Sequence, residues 1–421
     1  MATIFPNVCL NHRFEPESRI SQISLHFLAP YSVEQALVRT FLARLIESSS
    51  QVYPERWNLR RAFYQKGGSN LTITCQRWGN LHDWVVESNL VHLNKEDSLN
   101  DDEDSWLQLI GQTLSQQDFS VSGFQANFLT YEVQQLALYF EQLQDDPIDW
   151  AFYRAFQTFY EQENQEAYGS YGNPKYLNQI GMEKIYQAYQ DLMLQNKIVI
   201  NYRGPKTYNE LAAWAIDLFS THSRCKDIPD LRQLGLPNRI YASQVCENGF
   251  QEQTIQIHFF TGQMGTSLQA NLVWQIIDQI LVQLPTSIIF QRIREELGLV
   301  YELDSQQDMQ RQLWLIHYAC QEKQRQTCQR EIAQLLNQLG HNQRLSSLFE
   351  SAKLALMNAL LIQADDPIEQ LDTLFYQQLS YGTDYTVEQI IEDITKIELK
   401  QVEDILTSLT CIHTYTYRGT D

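Results

Sequence analysis

Basic residues are scarce in this chain, where 31 Lys and Arg stand against 51 Asp and Glu and leave a formal charge of −20. Nucleic-acid surfaces need clustered Lys and Arg to displace phosphate counterions, so the balance argues against such a partner. A basic or weakly charged peptide is compatible with it. Cysteine motifs are missing as well: Cys9, Cys75, Cys225, Cys246, Cys320, Cys328 and Cys411 are scattered, odd in number and form no CxxC. That reads as reduced thiols of a cytosol rather than a secreted disulfide framework. Nowhere do about 18 apolar residues run together, and Met1 to Phe14 lacks a basic region followed by an apolar core. The expectation is a cytoplasmic, soluble protein with no membrane partner. No G-x-S-x-G elbow occurs, and no cysteine has the local context of a nucleophile. Among nine histidines there is no His-x-x-Glu-His, His-Glu-x-x-His or other close pair.

What is present is enough apolar material for two ordinary cores in 421 residues, and an internal duplication. Ile23-Ser24-Leu25-His26-Phe27-Leu28 recurs at an offset of 232 as Ile255-Gln256-Ile257-His258-Phe259-Phe260, an alternating strand pattern. On this alignment His26 and His258 are equivalent structural residues. Each strand precedes a helical stripe of identical spacing: Leu37, Val38, Phe41, Leu42, Leu45, Ile46, and then Leu272, Val273, Ile276, Ile277, Ile280, Leu281. Ser32 with Gln35 predicts a capping box for the first of these. Pro54 and Pro285 can open second helices that run to Gln65 and Leu297, ended by Gly67-Gly68 and by Gly298. Strands from Leu71 and Leu299 follow. Asp145-Asp146-Pro147-Ile148 pairs with Asp365-Asp366-Pro367-Ile368, Tyr171-Gly172 with Tyr381-Gly382, and Tyr202-Arg203-Gly204 with Tyr417-Arg418-Gly419.

The fold class expected is therefore α+β, with two homologous domains, each a mainly antiparallel sheet packed with helices. The bounds read as 1–219 and 240–421, joined by a linker at 220–239 that holds Pro229, Gly235 and Pro237. Asn94 to Asp104 reads as a solvated acidic loop whose last residues favour a helix dipole starting near Ser105. Gly262 to Ser267 reads as a turn and helix cap. Trp150, Tyr153, Phe156, Phe159 and Tyr160 read as a core stripe, and His82 as a strand residue.

Phe290-Gln291-Arg292-Ile293-Arg294-Glu295-Glu296-Leu297-Gly298-Leu299-Val300-Tyr301 resembles the helix-to-strand signature of second domains in the insulinase/pitrilysin superfamily. Val282 to Pro285 departs from it, standing where relatives carry a glycine pair. The resemblance implies domains that form half of a clamshell, with Arg294 and Tyr301 holding a substrate backbone. An arginine fork and a phenol both donate to peptide carbonyls and read no side chain. The alternative for Arg294 is a solvated charge cluster with Glu295 and Glu296, with Tyr301 as a sheet aromatic. Active members carry His-x-x-Glu-His on the first helix, two zinc ligands and a water-activating carboxylate. Phe41, Arg44 and Leu45 stand in those places here. Phe and Leu cannot ligate zinc, and a guanidinium does not act as a base near neutrality.

Tyr168 to Asn173 and the run from Ile185 to Ile200 are similar to the inactive, mitochondrial-processing-peptidase-like bacterial proteins associated with elongation factor P modification. That likeness implies no catalytic or metal residue and no cofactor in this chain. It implies a heterodimer with a catalytic His-x-x-Glu-His homologue that holds the zinc, and processing of leader, bacteriocin or pheromone peptides. An inactive scaffold or peptide-binding module is the alternative.

Overall fold

The computed structural model describes residues 2–5, 7–92, 99–119, 124–160, 164–220, 243–249, 252–263, 265–339, 344–364 and 367–420. Apart from Ser220, the expected linker 220–239 lies outside them, as do Met264, Asp365 and Asp366. The chain divides into two compact units, Met1–Glu141 with Tyr168–Asp230, and Gln142–Ala167 with Leu231–Asp421.

The first unit holds β1 (Ala2–Phe5), β2 (Val8–Phe14), β3 (Ile20–Pro30), β4 (Asn70–Trp78), β5 (Leu81–Val91) and β6 (Lys197–Gly204), in the sheet order β1-β2-β6-β3-β5-β4. Helix α1 (Val33–Ser48) lays its predicted stripe on this sheet, where Leu37, Phe41 and Leu45 join Ile23, Leu25 and Phe27 in one core. Its cap is Ser32, whose side chain accepts the Gln35 N–H. Helix α2 (Arg56–Tyr64) ends at Gly67 and Gly68, with φ of 58° and 74°. Helices α3 (Leu99–Ser115) and α4 (Phe124–Gln142) follow, and α6 (Met182–Leu194) and α7 (Tyr208–Phe219) flank β6 in sequence; α5 (Pro147–Tyr160) belongs to the other unit.

The acidic stretch needs a correction. Residues 93–98 lie outside the described structure, but α3 already begins at Leu99, and Glu103 is wholly buried. Its carboxylate accepts from Ser21 Oγ (2.6 Å) and from the Tyr202 hydroxyl. Donors waiting on β3 and β6 draw in a residue that composition alone sends to solvent.

The second unit holds β7 (Ser243–Asn248), β8 (Thr254–Thr261), β9 (Val300–Asp308), β10 (Leu313–Cys320) and β11 (Thr410–Arg418), in the order β7-β11-β8-β10-β9. Strand for strand this repeats β2-β6-β3-β5-β4, with the parallel pair in the same place (β2 with β6, β7 with β11). Helix α8 (Leu268–Asp278) is capped by Ser267. It is followed by α9 (Arg325–Asn337), α10 (Leu345–Ala364), α11 (Pro367–Tyr381), α12 (Val387–Lys396) and α13 (Leu399–Ser408).

The repeat is real, but its strand alignment is one residue longer than the apolar pattern gave. Phe27 pairs across the sheet with Trp84, and Phe260 with Trp314. Both indole N–H groups donate to the helix that follows the partner strand, Trp84 to Arg39 O of α1 at 3.1 Å and Trp314 to Asp278 Oδ1 of α8 at 2.7 Å. Phe27 therefore matches Phe260. His26 and His258 are not equivalent: His26 bonds Asp83 (2.8 Å), whereas His258 stacks on Tyr318 within the core under α8. A one-residue slip exchanges the faces of a strand, and strands buried on both faces carry no polar mark of the error.

Helix α5 packs on the opposite face of the second sheet. Phe156 and Phe159 meet Phe259 at centroid distances of 5.3 and 4.9 Å, and Ala151 and Ala155 lie against Ile255 and Ile257. Arg154 forks onto Glu247 of β7 at 2.6 and 3.0 Å. The aromatic stripe is core, as its spacing predicts, and the core it joins belongs to the second sheet.

Candidate functional site

On α1, the positions that match the zinc motif do not fit a metal. Phe41 and Leu45 are each 2% exposed and packed in the apolar core. Arg44 turns outward and donates through Nη1 to Glu132 Oε2 of α4 at 2.7 Å. The set therefore offers zinc no imidazole, and the Glu132 carboxylate beside it is taken by the Arg44 guanidinium.

A groove runs beside this ion pair. A cavity of ≈ 290 Å³ opens among Arg44, Glu47, Arg56 and Glu132. A second, of ≈ 380 Å³, opens among Glu47, Arg60, Tyr64 and residues Asn70 to Thr72 of β4. Glu47 lines both. Burial raises its carboxyl pKa against the opposing pull of Arg56, Arg60 and Arg44. β4 is an edge strand, paired with β5 alone among the described residues, so its outer side offers unpaired backbone groups.

In the second unit, α8 runs into a π-wound turn, Gln279–Gln283, and the next helix starts at Ile288, three residues after Pro285. Phe290–Glu296 is also π-wound; the Leu297 N–H reaches back to Arg292 O at 3.1 Å. Gly298, at φ 57°, turns the chain into β9. This geometry separates the two arginines. Arg292 takes the carboxylates, Glu296 at 2.9 Å and Glu331 of α9 at 3.0 Å. Arg294 is exposed, lies over the Phe290 ring at 4.9 Å and has no ion pair among the described residues. Tyr301 lies on β9, the other edge strand, and is 56% exposed. Its oxygen accepts from Gln321 Nε2 at 3.0 Å, which leaves its own O–H to donate. No hydrogen bond joins Arg294 to Tyr301; each presents its donors to solvent. Glu296 pairs with Arg292 rather than with Arg294.

One arrangement has the form of a nucleophilic triad. Ser24 Oγ lies 3.1 Å from His26 Nε2, and His26 Nδ1 lies 2.8 Å from Asp83. These residues are 7%, 1% and 0% exposed. Asn201 Nδ2 sits 3.1 Å from both Ser24 Oγ and His26 Nε2, where a substrate carbonyl would have to enter. It is a buried structural network closed to a substrate, in which Asp83 Oδ1 has no hydrogen-bond partner among the described residues. His82 is likewise structural, within 3.1 Å of Ser170 O, its pKa held down to about 3 by burial.

The sequence pattern missed the outward display of α2, Trp57 and Tyr64 at 72% and 75% exposure beside Arg56, Arg60 and Arg61. The signal was present in Arg56 to Tyr64, where only Leu59 and Phe63 have the spacing of a buried face.

Residues 179–356 match the family of the peptidase M16 inactive domain. No curated protein matches the sequence. A conserved protein from Enterococcus faecalis V583 superposes with a TM-score of 0.89 at 19% identity, over 100% of this chain and 98% of its own. The peptidase M16 inactive domain from Pseudomonas fluorescens superposes at 0.76 with 14% identity, over 98% and 95%. A protease from Helicobacter pylori does so at 0.77 with 11% identity, over 99% and 98%. At such identities the structures speak for the fold. The family match covers residues 179–356, less than half of the chain, and the chain as a whole has the fold that the peptidase M16 inactive domain also adopts.

Proposed function

We propose that this chain is the non-catalytic, substrate-binding subunit of a heterodimeric zinc peptidase that matures peptides such as leader, bacteriocin or pheromone precursors. The observation that carries the reading is the division between Arg292 and Arg294. The first absorbs the neighbouring carboxylates, and the second keeps its guanidinium for a ligand. Tyr301 adds a phenolic donor from an exposed edge strand, where an extended backbone can lie. On α1, Phe41, Arg44 and Leu45 favour chemistry supplied by a partner bearing His-x-x-Glu-His.

The test mixes the purified chain with such a homologue. The account expects a one-to-one complex by size-exclusion chromatography with light scattering, about one zinc per pair, and peptide cleavage confined to the mixture. A catalytic homologue that cleaves equally well alone, or never coelutes with this chain, would leave the scaffold reading in its place.

A further inference from the structure

Helix α2 carries Arg56, Arg60 and Arg61 and no acidic residue, in a chain whose formal charge is −20. Leu59 and Phe63 anchor it to the core, while Trp57 and Tyr64, seven residues apart, stand on its outer side. Large exposed aromatics beside arginines have the composition of an interface hot spot. The charges around the groove are unevenly matched. Arg44 is paired with Glu132, but Arg56 and Arg60 have no ion pair among the described residues and share only the electrostatic pull of half-buried Glu47. Glu55, the nearest acid on the chain before α2, bonds Asn58 instead. Arg60 and Tyr64 thus border the cavity that reaches Asn70 to Thr72 of β4, an edge strand among the described residues, and Arg56 borders the neighbouring cavity that shares Glu47.

We infer that the groove between α2 and β4 selects acidic peptide segments, with Arg60 and, on the far side of Glu47, Arg56 binding their carboxylates and Tyr64 covering their backbone. The peptide nature of the ligand rests on the proposed function; the preference for acid rests on α2. It reverses the expectation from net charge, which favours basic peptides. A local field of fixed guanidiniums decides binding at contact distance, whereas distant surface charge is screened within about 10 Å at 0.1 M salt.

The test measures binding of three short extended peptides by fluorescence anisotropy, identical except that alternate positions are Glu, Gln or Lys. The full chain should bind the Glu peptide about tenfold more tightly than the Gln peptide at low salt, the yield of two partly exposed charge pairs. The Lys peptide should bind weakest, and added salt should shrink the differences. Arg56→Glu with Arg60→Glu should abolish or reverse the ranking at an unchanged melting temperature. Should that pair unfold the chain, Arg60→Gln alone should still reduce the Glu preference severalfold. Equal binding of the three peptides by the full chain would overturn the acid preference and leave the peptide-holding role standing. Binding of none would overturn both, and tripolyphosphate displacing the Glu peptide at equal concentration would overturn the peptide as ligand.

Discussion

Histidines buried without a carboxylate partner make this fold sensitive to acid. Burial pushes His258 and His413 down to about 4 and His82 down to about 3, with His413 adding to the effect on His258. A histidine pKa depressed below its unfolded value of about 6.5 gives stability that is intact above that pH. Protonation of the unfolded chain removes it as pH falls toward the folded value. Each such histidine contributes a slope of up to about 1.4 kcal/mol per pH unit between about pH 6.5 and 4. Urea midpoints should therefore drop steadily from pH 7 to pH 5, and His258→Asn should flatten that dependence; an unchanged slope would show that His258 titrates normally. At this scale the sequence carried the residues but not their partners. The spacing of Arg294 and Tyr301 was visible, yet it could not say which of Arg292 and Arg294 would take Glu296. The answer depends on π-winding and on Glu331, which reaches Arg292 from another helix.

Turns between elements were the most legible part, because glycine marks backbone that other residues adopt at a cost. Gly67 is the sharper case: at φ 58°, an added Cβ would lie 2.4 Å from Val91 O, whereas at Gly68 it would meet nothing. Gly67→Ala should cost about 2 kcal/mol or more, the left-handed penalty plus displacement of a backbone carbonyl. Gly68→Ala should cost only about 1 kcal/mol. Equal urea midpoints for the two variants would contradict this account of how α2 is held over β4. Strand faces were less legible. Apolar residues on both sides of β3 and β8 let the repeat be matched one residue short, and only cross-strand pairing of Phe27 with Trp84 and Phe260 with Trp314 restores it.

At the scale of the whole molecule the duplication could be read from the chain, and the equivalent strand orders of the two sheets agree with it. The destination of α5 could not, since an apolar stripe does not name the sheet it covers. Phe259→Ala should remove about 3 to 5 kcal/mol of packing and raise hydrogen exchange in 147–160 together with β8, while α1 keeps its protection. Faster exchange in α1 and not in α5 would contradict the assignment of that helix to the second sheet. The central claim is that a fold with an unsuitable metal position retains donors for a peptide backbone. It is tested most directly by kcat/KM for peptide cleavage in the assembled pair with a His-x-x-Glu-His homologue, comparing the unaltered chain with Arg294→Ala plus Tyr301→Phe. Loss of one donor contact costs about 1 to 3 kcal/mol, so the double variant should lose roughly tenfold to a hundredfold or more, with complex assembly and melting temperature unchanged. Unchanged turnover per assembled complex, or a loss explained wholly by a lowered melting temperature, would contradict it.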